Sequence, residues 1–316
     1  MKFLIIFKII SIISLYVVSV SANEITIETK EKYLTKKESQ KYLRNKNETT
    51  KLEESKNLYL LVIIVFFLII LSLLRPKSKP KKKKRLKIYL GTDIHSHLLP
   101  RLDDGSKSMD ESLSLIRGLK DLGYTKIITT PHIMSHRFPN SSTIILNSFH
   151  RLKKALKKKK IDIEIEVASE YYLDDHFVNL LKKKDILTFG DKYVLFELPR
   201  REMPENLFEV ITLIKEQGYK PVLAHPERYQ YFHNDFKMYE EIKNAGVFFQ
   251  INLISMEGFY TVAVKNVVLQ IIDSGFVDFL GSDTHKRMYL DSLKEVLKSH
   301  SFQNIFEKNV ILNRSL

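Results

Sequence analysis

The chain has 316 residues, no cysteine and a formal net charge of +14. Without cysteine it can hold no disulfide, no thiolate zinc site and no thiol nucleophile. Residues 1–87 carry twenty Lys/Arg and seven Asp/Glu, a net +13, so the remainder is close to neutral and gives no support to a nucleic-acid-binding surface.

In chain order, residues 1–22 join Lys2 and Lys8 to an apolar run from Ile9 to Val18 and the small residues Ser21 and Ala22, the pattern of a signal peptide or a retained signal anchor. Residues 23–57 are polar, mixed in charge and without apolar periodicity, and read as an extracytoplasmic tether. From Leu58 to Leu74 the chain runs LYLLVIIVFFLIILSLL, uncharged and without a polar face, which predicts a transmembrane helix over 58–74. Residues 75–87, RPKSKPKKKKRLK, hold nine basic residues and no acid, and Pro76 and Pro80 oppose helix. Such a juxtamembrane linker stays on the cytoplasmic side and can lie against anionic headgroups. The expected topology is an inner-membrane protein whose residues 88–316 form one cytoplasmic domain.

Within 88–316, β-rich runs recur at intervals of about thirty residues with helix-compatible segments between them, the signature of βα units around a parallel sheet. There are seven: IYLGTDI (88–94), KIITTP (126–131), EIEVAS (164–169), KYVLFEL (192–198), KPVLA (220–224), VFFQINL (247–253) and VDFLGS (277–282). Ser108 and Glu111 form a capping box for one helix, Pro204 opens another, and Gly123 and Gly218 stop them.

Nine groups suited to metal binding sit at the ends of these runs: His95, His97, Asp104, His132, Glu170, Glu197, His225, Asp283 and His285. Any one of them alone reads better as a helix cap or a satisfied loop residue. Together they point to one place, because a parallel α/β barrel gathers its strand ends at a single face. His95 and His97 are two apart, so both imidazoles leave an extended strand on the same side, and Asp283 and His285 repeat that spacing. Imidazole with carboxylate suits first-row divalent ions such as Mn, Fe or Zn, and the many oxygen donors favour the harder ones. Nine groups exceed the needs of one ion, so two or three ions are expected, with Glu170 and Glu197 as bridges. Such a site suits in-line phosphoester hydrolysis, and no GxxxxGK[ST] loop is present to support nucleotide-driven transfer. Arg228 offers a planar cationic fork for phosphoryl oxygens, or alternatively a salt bridge to Glu227 or another carboxylate. His136, His150, His176, His233 and His300 read as surface residues, His136 lying nearest to a predicted ligand.

The strings DIHSHLLPRLDDGSKSMDESL, TTPHIM, ASEYYLD, LFELP, LAHPERY and GSDTH, in that order across residues 90–295, resemble the PHP-type protein-tyrosine phosphatases of bacterial capsule and exopolysaccharide systems. The resemblance implies a distorted (β/α)7 TIM-like barrel, two or three divalent metals, usually Mn2+, and phosphotyrosine on protein as substrate. It matches all nine residues to the family's metal ligands and Arg228 to an arginine near the phosphate. Where some members carry a second arginine, the segment here is KRMYLD, which leaves the role of Arg287 open. The expected activity is hydrolysis of phosphotyrosine by metal-activated hydroxide, regulating capsule or exopolysaccharide synthesis. A membrane tyrosine kinase of polysaccharide export is the expected partner. Two alternatives stand beside it: a PHP phosphoesterase acting on a small phosphorylated metabolite, and a non-catalytic membrane scaffold that binds a phosphorylated tail.

Overall fold

The computed structural model describes residues 91–316 together with 44, 56–61, 63, 64, 66 and 67. The chain forms two units, Met1–Lys82 and Lys83–Leu316. In the first, the described residues of the expected membrane span (58–61, 63, 64, 66 and 67) are helical and exposed. The expected span is not supported: among the described residues no helix is long and apolar enough to cross a membrane. The rest of 58–74, the signal-like 1–22, nearly all of 23–57, and 75–87 lie outside the described residues.

In the second unit, strands and helices largely alternate. They are β1 (Thr92–Asp93), α1 (Met109–Leu122), β2 (Lys126–Thr129), β3 (His132–Ile133), α2 (Ser142–Lys158), β4 (Glu164–Val167), β5 (Glu170–Tyr172), α3 (Asp175–Lys183), β6 (Tyr193–Glu197), α4 (Leu207–Glu216), β7 (Lys220–Ala224), α5 (Phe236–Asn244), β8 (Phe248–Asn252), α6 (Val262–Asp273), β9 (Val277–Gly281), α7 (Arg287–Val296) and α8 (His300–Lys308). All paired strands are parallel, in a three-stranded sheet β1-β2-β4 and a six-stranded sheet β3-β5-β6-β7-β8-β9. Each of the seven expected runs therefore holds a strand, and two of them are followed by a short unpredicted strand, β3 and β5, just beyond the run. The second run breaks at Thr130–Pro131, where proline has no N–H for a ladder bond. The third breaks opposite it, at Ala168–Ser169, and the partner offset is the same on both sides of the gap: Thr129 pairs with Val167, and His132 with Glu170. At the far edge an isolated parallel bridge joins Ser96 to Thr284. Two backbone bonds flank it, His97 N–H to Thr284 O at 3.0 Å and Asp283 N–H to His95 O at 2.8 Å.

Burial follows the two-residue period of strands covered on both faces. Leu195, Val222 and Ala224 join Ile94, Ile128, Ala168, Phe189 and Phe279 in a small inner cluster. Their neighbours Val194, Phe196, Leu223 and Ile127 point the other way, into the larger core with the helices. In α1 the buried Leu113, Ile116 and Leu119 recur at helical spacing on one stripe. Ser108 caps it as expected, accepting from Glu111 N–H at 3.2 Å, while the Glu111 carboxylate takes Lys107 N–H at 2.8 Å. Helix α4 starts at Leu207, later than Pro204 suggests, because Leu207 N–H first closes a turn onto Pro204 O at 3.2 Å.

Candidate metal centre

Strand ends deliver the site. His95 and His97 leave β1 on the same side, and the Ser96–Thr284 bridge sets them beside Asp283 and His285. His132 and Glu170 are register partners at the starts of β3 and β5, just past the strand breaks. Glu197 ends β6, and His225 follows β7. Two glycines make room: a Cβ on Gly105 would overlap the backbone and Cβ of His97, and one on Gly281 would overlap Gln250 and His95. His225 and Asp283 hold left-handed backbone, with φ of +35° and +49°. For non-glycine residues this costs about 1–3 kcal/mol each and recurs where function positions a side chain.

All nine predicted residues meet in one cluster, in four overlapping sets of potential ligands: His97, Asp104, His132 and His285; His95, Glu170 and His225; His95, His97 and Asp283; His132, Glu170 and Glu197. Within each set the donor atoms lie within 4.8 Å of one another. Glu170 is the hub. Its Oε2 is 3.2 Å from His95 Nε2, 3.3 Å from His97 Nε2 and 3.1 Å from His132 Nδ1, and its Oε1 is 3.0 Å from His225 Nε2. Asp104 Oδ1 stands 3.3 Å from His285 Nε2 and 3.7 Å from His132 Nε2.

The surrounding hydrogen bonds decide which ring nitrogens face the centre. His95 Nδ1 donates to Gln250 Oε1 at 2.7 Å, an acceptor assignment supported by Gln250 Nε2 donating to Asn252 Oδ1 at 3.0 Å. His97 Nδ1 donates to Asp103 Oδ2 at 2.8 Å, and His285 Nδ1 to the Asp283 carbonyl at 2.8 Å. In the neutral rings, the Nε2 atoms of His95 and His97 then present lone pairs to each other across 3.3 Å and to Glu170 Oε2. Electron-rich atoms packed this way require a cation or protons among them. Nine buried side-chain polar atoms among the described residues lack a hydrogen-bond partner, and four belong to this cluster: Asp104 Oδ1, His132 Nδ1, Glu170 Oε2 and His225 Nδ1. The residues present therefore fit divalent metal ions.

Electrostatics agree. Burial alone would lower His95, but Glu170 and Asp283 push it up to about 9. His97 is likewise raised well above the ordinary value, against burial, by Asp103 and Glu170. Burial brings His132 down to about 4, and burial with the Arg228 charge brings His225 down to about 3. Burial and the neighbouring Glu170 charge push Glu197 up to about 8. Against burial, His95 and His132 hold Glu170, and His95 and His285 hold Asp283, well below the usual carboxylate range. Protons thus occupy part of the cluster, and bound metal would displace them.

Arg228 closes one wall. Its Nη1 donates to Asp283 Oδ2 at 3.0 Å, and its guanidinium lies 4.4 Å above the Tyr260 ring. Its ion-pair partner is thus Asp283 and not Glu227, whose Oε1 accepts from Asn252 N–H at 3.0 Å and Ser255 Oγ at 2.7 Å. Arg228 and the cluster open into a cavity of about 360 Å³ with Tyr260, Tyr289 and Lys286 on its walls. Arg287 points elsewhere, 3.7 Å from Asp291 on an exposed helix face, so Lys286 supplies the positive charge at that corner. Of the five histidines read as surface residues none joins the cluster. His136 is exposed but lines a neighbouring cavity. Sequence reading missed Asp103, Gln250, Asn252 and Tyr260. A signal existed for two of them, since Gln250 and Asn252 are polar residues inside an otherwise apolar strand.

The model of the capsular polysaccharide synthesis family CpsB/CapC matches residues 91–298. The chain is 28% identical over 194 residues to tyrosine-protein phosphatase YwqE of Bacillus subtilis, covering 61% of this chain and 76% of that protein. It is 30% identical over 199 residues to tyrosine-protein phosphatase CpsB of Streptococcus agalactiae, covering 61% and 82%. Among solved structures it matches one from the pair of metal-dependent tyrosine phosphatases YwqE of Bacillus subtilis and CpsB of Streptococcus pneumoniae. That match has a TM-score of 0.62 and 25% identity, and it covers 69% of this chain and 90% of the other.

Proposed function

This chain belongs to the capsular polysaccharide synthesis family CpsB/CapC, and from that membership we propose that it is a metal-dependent protein-tyrosine phosphatase acting in capsule or exopolysaccharide synthesis. The observation that carries the reading is Glu170 Oε2, buried without a hydrogen bond and ringed by three imidazole nitrogens at 3.1–3.3 Å. His95, His97, Asp104, His132, Glu170, Glu197, His225, Asp283 and His285 would hold two or three divalent ions. Four carboxylates, Asp104, Glu170, Glu197 and Asp283, balance the charge of two such ions, and their hard oxygens favour manganese. When bound, the ions lower the pKa of water and stabilise the charge of an in-line phosphoryl displacement.

The chain's own groups supply the rest. Arg228, braced by Asp283 and stacked on Tyr260, presents its remaining N–H donors to phosphoryl oxygens. A tyrosine leaves with a pKa of ~10, so departure needs less proton donation than an alkyl ester would. Closure of the strands into a distorted (β/α)7 barrel is part of the proposal, supported by the Ser96–Thr284 bridge and its flanking bonds. So is a place at the inner membrane with this domain cytoplasmic, beside a tyrosine kinase of polysaccharide export; the uncharged 58–74 and basic 75–87 sequences support it. Full-length protein loaded with manganese is expected to release phosphate from a phosphotyrosine peptide and to stop when chelator strips the metal. Absence of turnover with manganese, iron or zinc would overturn the proposal. Deleting residues 1–87 is expected to slow dephosphorylation of the kinase in cells, and an unchanged rate would remove the membrane part.

A further inference from the structure

A second cavity, about 500 Å³, adjoins the first. The two share Asp104, His132, Glu197 and Arg200, so one wall of the metal cluster faces both. Beyond that shared wall the second cavity is cationic: Arg137, Arg200, Arg201 and His136 line it, with Glu202 the one carboxylate outside the cluster. Neither Arg200 nor Arg201 makes an ion pair among the described residues, where most other charged side chains near the site do. Both are exposed, in the loop that directly follows Glu197. Arg137 reaches Asp104 only at 3.4 Å. It sits on a tight turn closed by reciprocal Met134–Phe138 backbone bonds of 3.0 and 2.9 Å, with its guanidinium 4.8 Å above the Phe138 ring. That ring stacks on His132 at 5.4 Å. The turn thus anchors a cation to the metal cluster through an aromatic pair.

Two unpaired guanidinium groups beside a cavity large enough for a side chain form an anion-binding wall. Arg228 already provides a fork for the phosphoryl group on the other side. We propose that the Arg137–Arg200–Arg201 cavity binds an anionic side chain of the same peptide, close in sequence to the phosphotyrosine, and so makes the enzyme prefer acidic substrates. The inference rests on the phosphatase reading and deepens it by naming the substrate class. Tyr172, which His136 meets edge-on at 5.2 Å, gives the cavity an aromatic wall for the aliphatic part of such a residue.

The test compares three phosphotyrosine peptides on the full-length, manganese-loaded protein: one flanked by Glu, one by Gln at the same positions, and one by a second phosphotyrosine. The Glu peptide is expected to exceed the Gln peptide by about tenfold in kcat/KM, through KM, with the advantage shrinking as salt rises. A gain confined to the doubly phosphorylated peptide assigns the cavity to phosphate and still supports an anionic side chain. In Arg200→Ser/Arg201→Ser the Glu/Gln ratio should fall toward one, and in Arg201→Glu it should fall below one. Equal rates on all three peptides, or ratios untouched by these substitutions, would overturn the inference. The same peptides carrying a non-hydrolysable phosphonate in place of the phosphate, followed by fluorescence anisotropy, separate the two readings. If nothing is hydrolysed yet the Glu phosphonate peptide binds more tightly and loses that advantage in the variants, the phosphatase reading fails and the cavity stands. If hydrolysis proceeds without discrimination, the reverse holds.

Discussion

On the β1 side of the cluster, His95 and His97 each commit Nδ1 to an oxygen, Gln250 Oε1 at 2.7 Å and Asp103 Oδ2 at 2.8 Å. Across Glu170, His132 and His225 each leave Nδ1 buried without a hydrogen bond. Packing helps to place those two rings: Phe138 stacks on His132, and His225 stacks on His95 at 5.6 Å while its Nε2 meets Glu170 Oε1 at 3.0 Å. The protonation behaviour divides along the same line, with His95 and His97 raised and His132 and His225 lowered. One side is therefore oriented before any ion arrives, while on the other His132 Nδ1 faces Glu170 Oε2 at 3.1 Å with no hydrogen bond, a valence that an ion would fill. A site built this way can be selective without being rigid throughout, because the oriented half sets the geometry and the unfilled half supplies the drive to bind.

Glu170 belongs to both halves, so its loss should be the largest single effect. Glu170→Gln keeps the shape but removes the charge, and we expect kcat/KM on an aryl phosphate to fall on the order of 10³-fold or more, with metal content reduced. Retained activity with full metal loading would show that the halves do not depend on this residue. Next in size is the half-satisfied Glu227, between His225 and Arg228, whose Oε2 has no partner. Burial pushes its carboxyl from 4.5 up to about 7. Because the folded value lies above the unfolded one, ionisation adds a penalty that is absent below about pH 4.5 and complete above about pH 7. Glu227→Gln removes it, so chelated protein should gain up to about 3 kcal/mol at pH 8 and close to nothing at pH 4.5. Denaturant melts at the two values measure the difference, and a gain independent of pH would rule out titration as its source.

Asp103→Asn tests the oriented half. It leaves a neutral amide beside His97 Nδ1 and beside His132 N–H, which the carboxylate now accepts at 3.0 Å. Removing such an orienting partner typically costs 10–100-fold in metal affinity or activity, and we expect a loss in that range. Calorimetric titration with manganese checks it. A smaller loss than that of Phe138→Ala, which loosens His132 by removing its stacking partner, would reverse the assignment of which half is set in advance.

What was legible in the sequence divides by range. The seven strand runs and the nine clustered residues could be read because an apolar run ending in a His or a carboxylate is a local pattern. The gaps between β2 and β3 and between β4 and β5 could not: the two-residue strand His132–Ile133 exists only through its pairing with β5. Asp103 and Asp104 show the same limit at one residue's resolution. They are adjacent and chemically alike, yet one is turned to His97 and the other to His132 and His285. Gln250 meets His95 across 155 residues of chain, a contact that no spacing rule anticipates. The 58–74 reading rests on hydropathy, length and the basic segment after it, and the described residues hold no helix long and apolar enough to cross a membrane.

The smallest effect is expected at Asp283, where the oriented half is over-determined. Its Oδ2 accepts from Asn252 Nδ2 at 2.7 Å, Arg228 Nη1 at 3.0 Å and Tyr260 Oη at 3.2 Å. Tyr260→Phe removes the longest of the three and keeps the ring beneath the guanidinium, so Asp283 stays held by the other two. A net hydrogen bond contributes about 0.5–1.5 kcal/mol, so a loss of roughly 2- to 10-fold in kcat/KM is the ceiling, and redundancy should keep it near the lower end. Tyr260→Leu also removes the cation–π contact, which adds about 0.5–2 kcal/mol, and frees the Arg228 fork proposed to meet phosphate. Its loss should therefore appear chiefly in KM and exceed that of Tyr260→Phe. If the two variants lose equally, the hydroxyl and not the ring positions Arg228, and Asp283 is less redundantly held than its three donors imply.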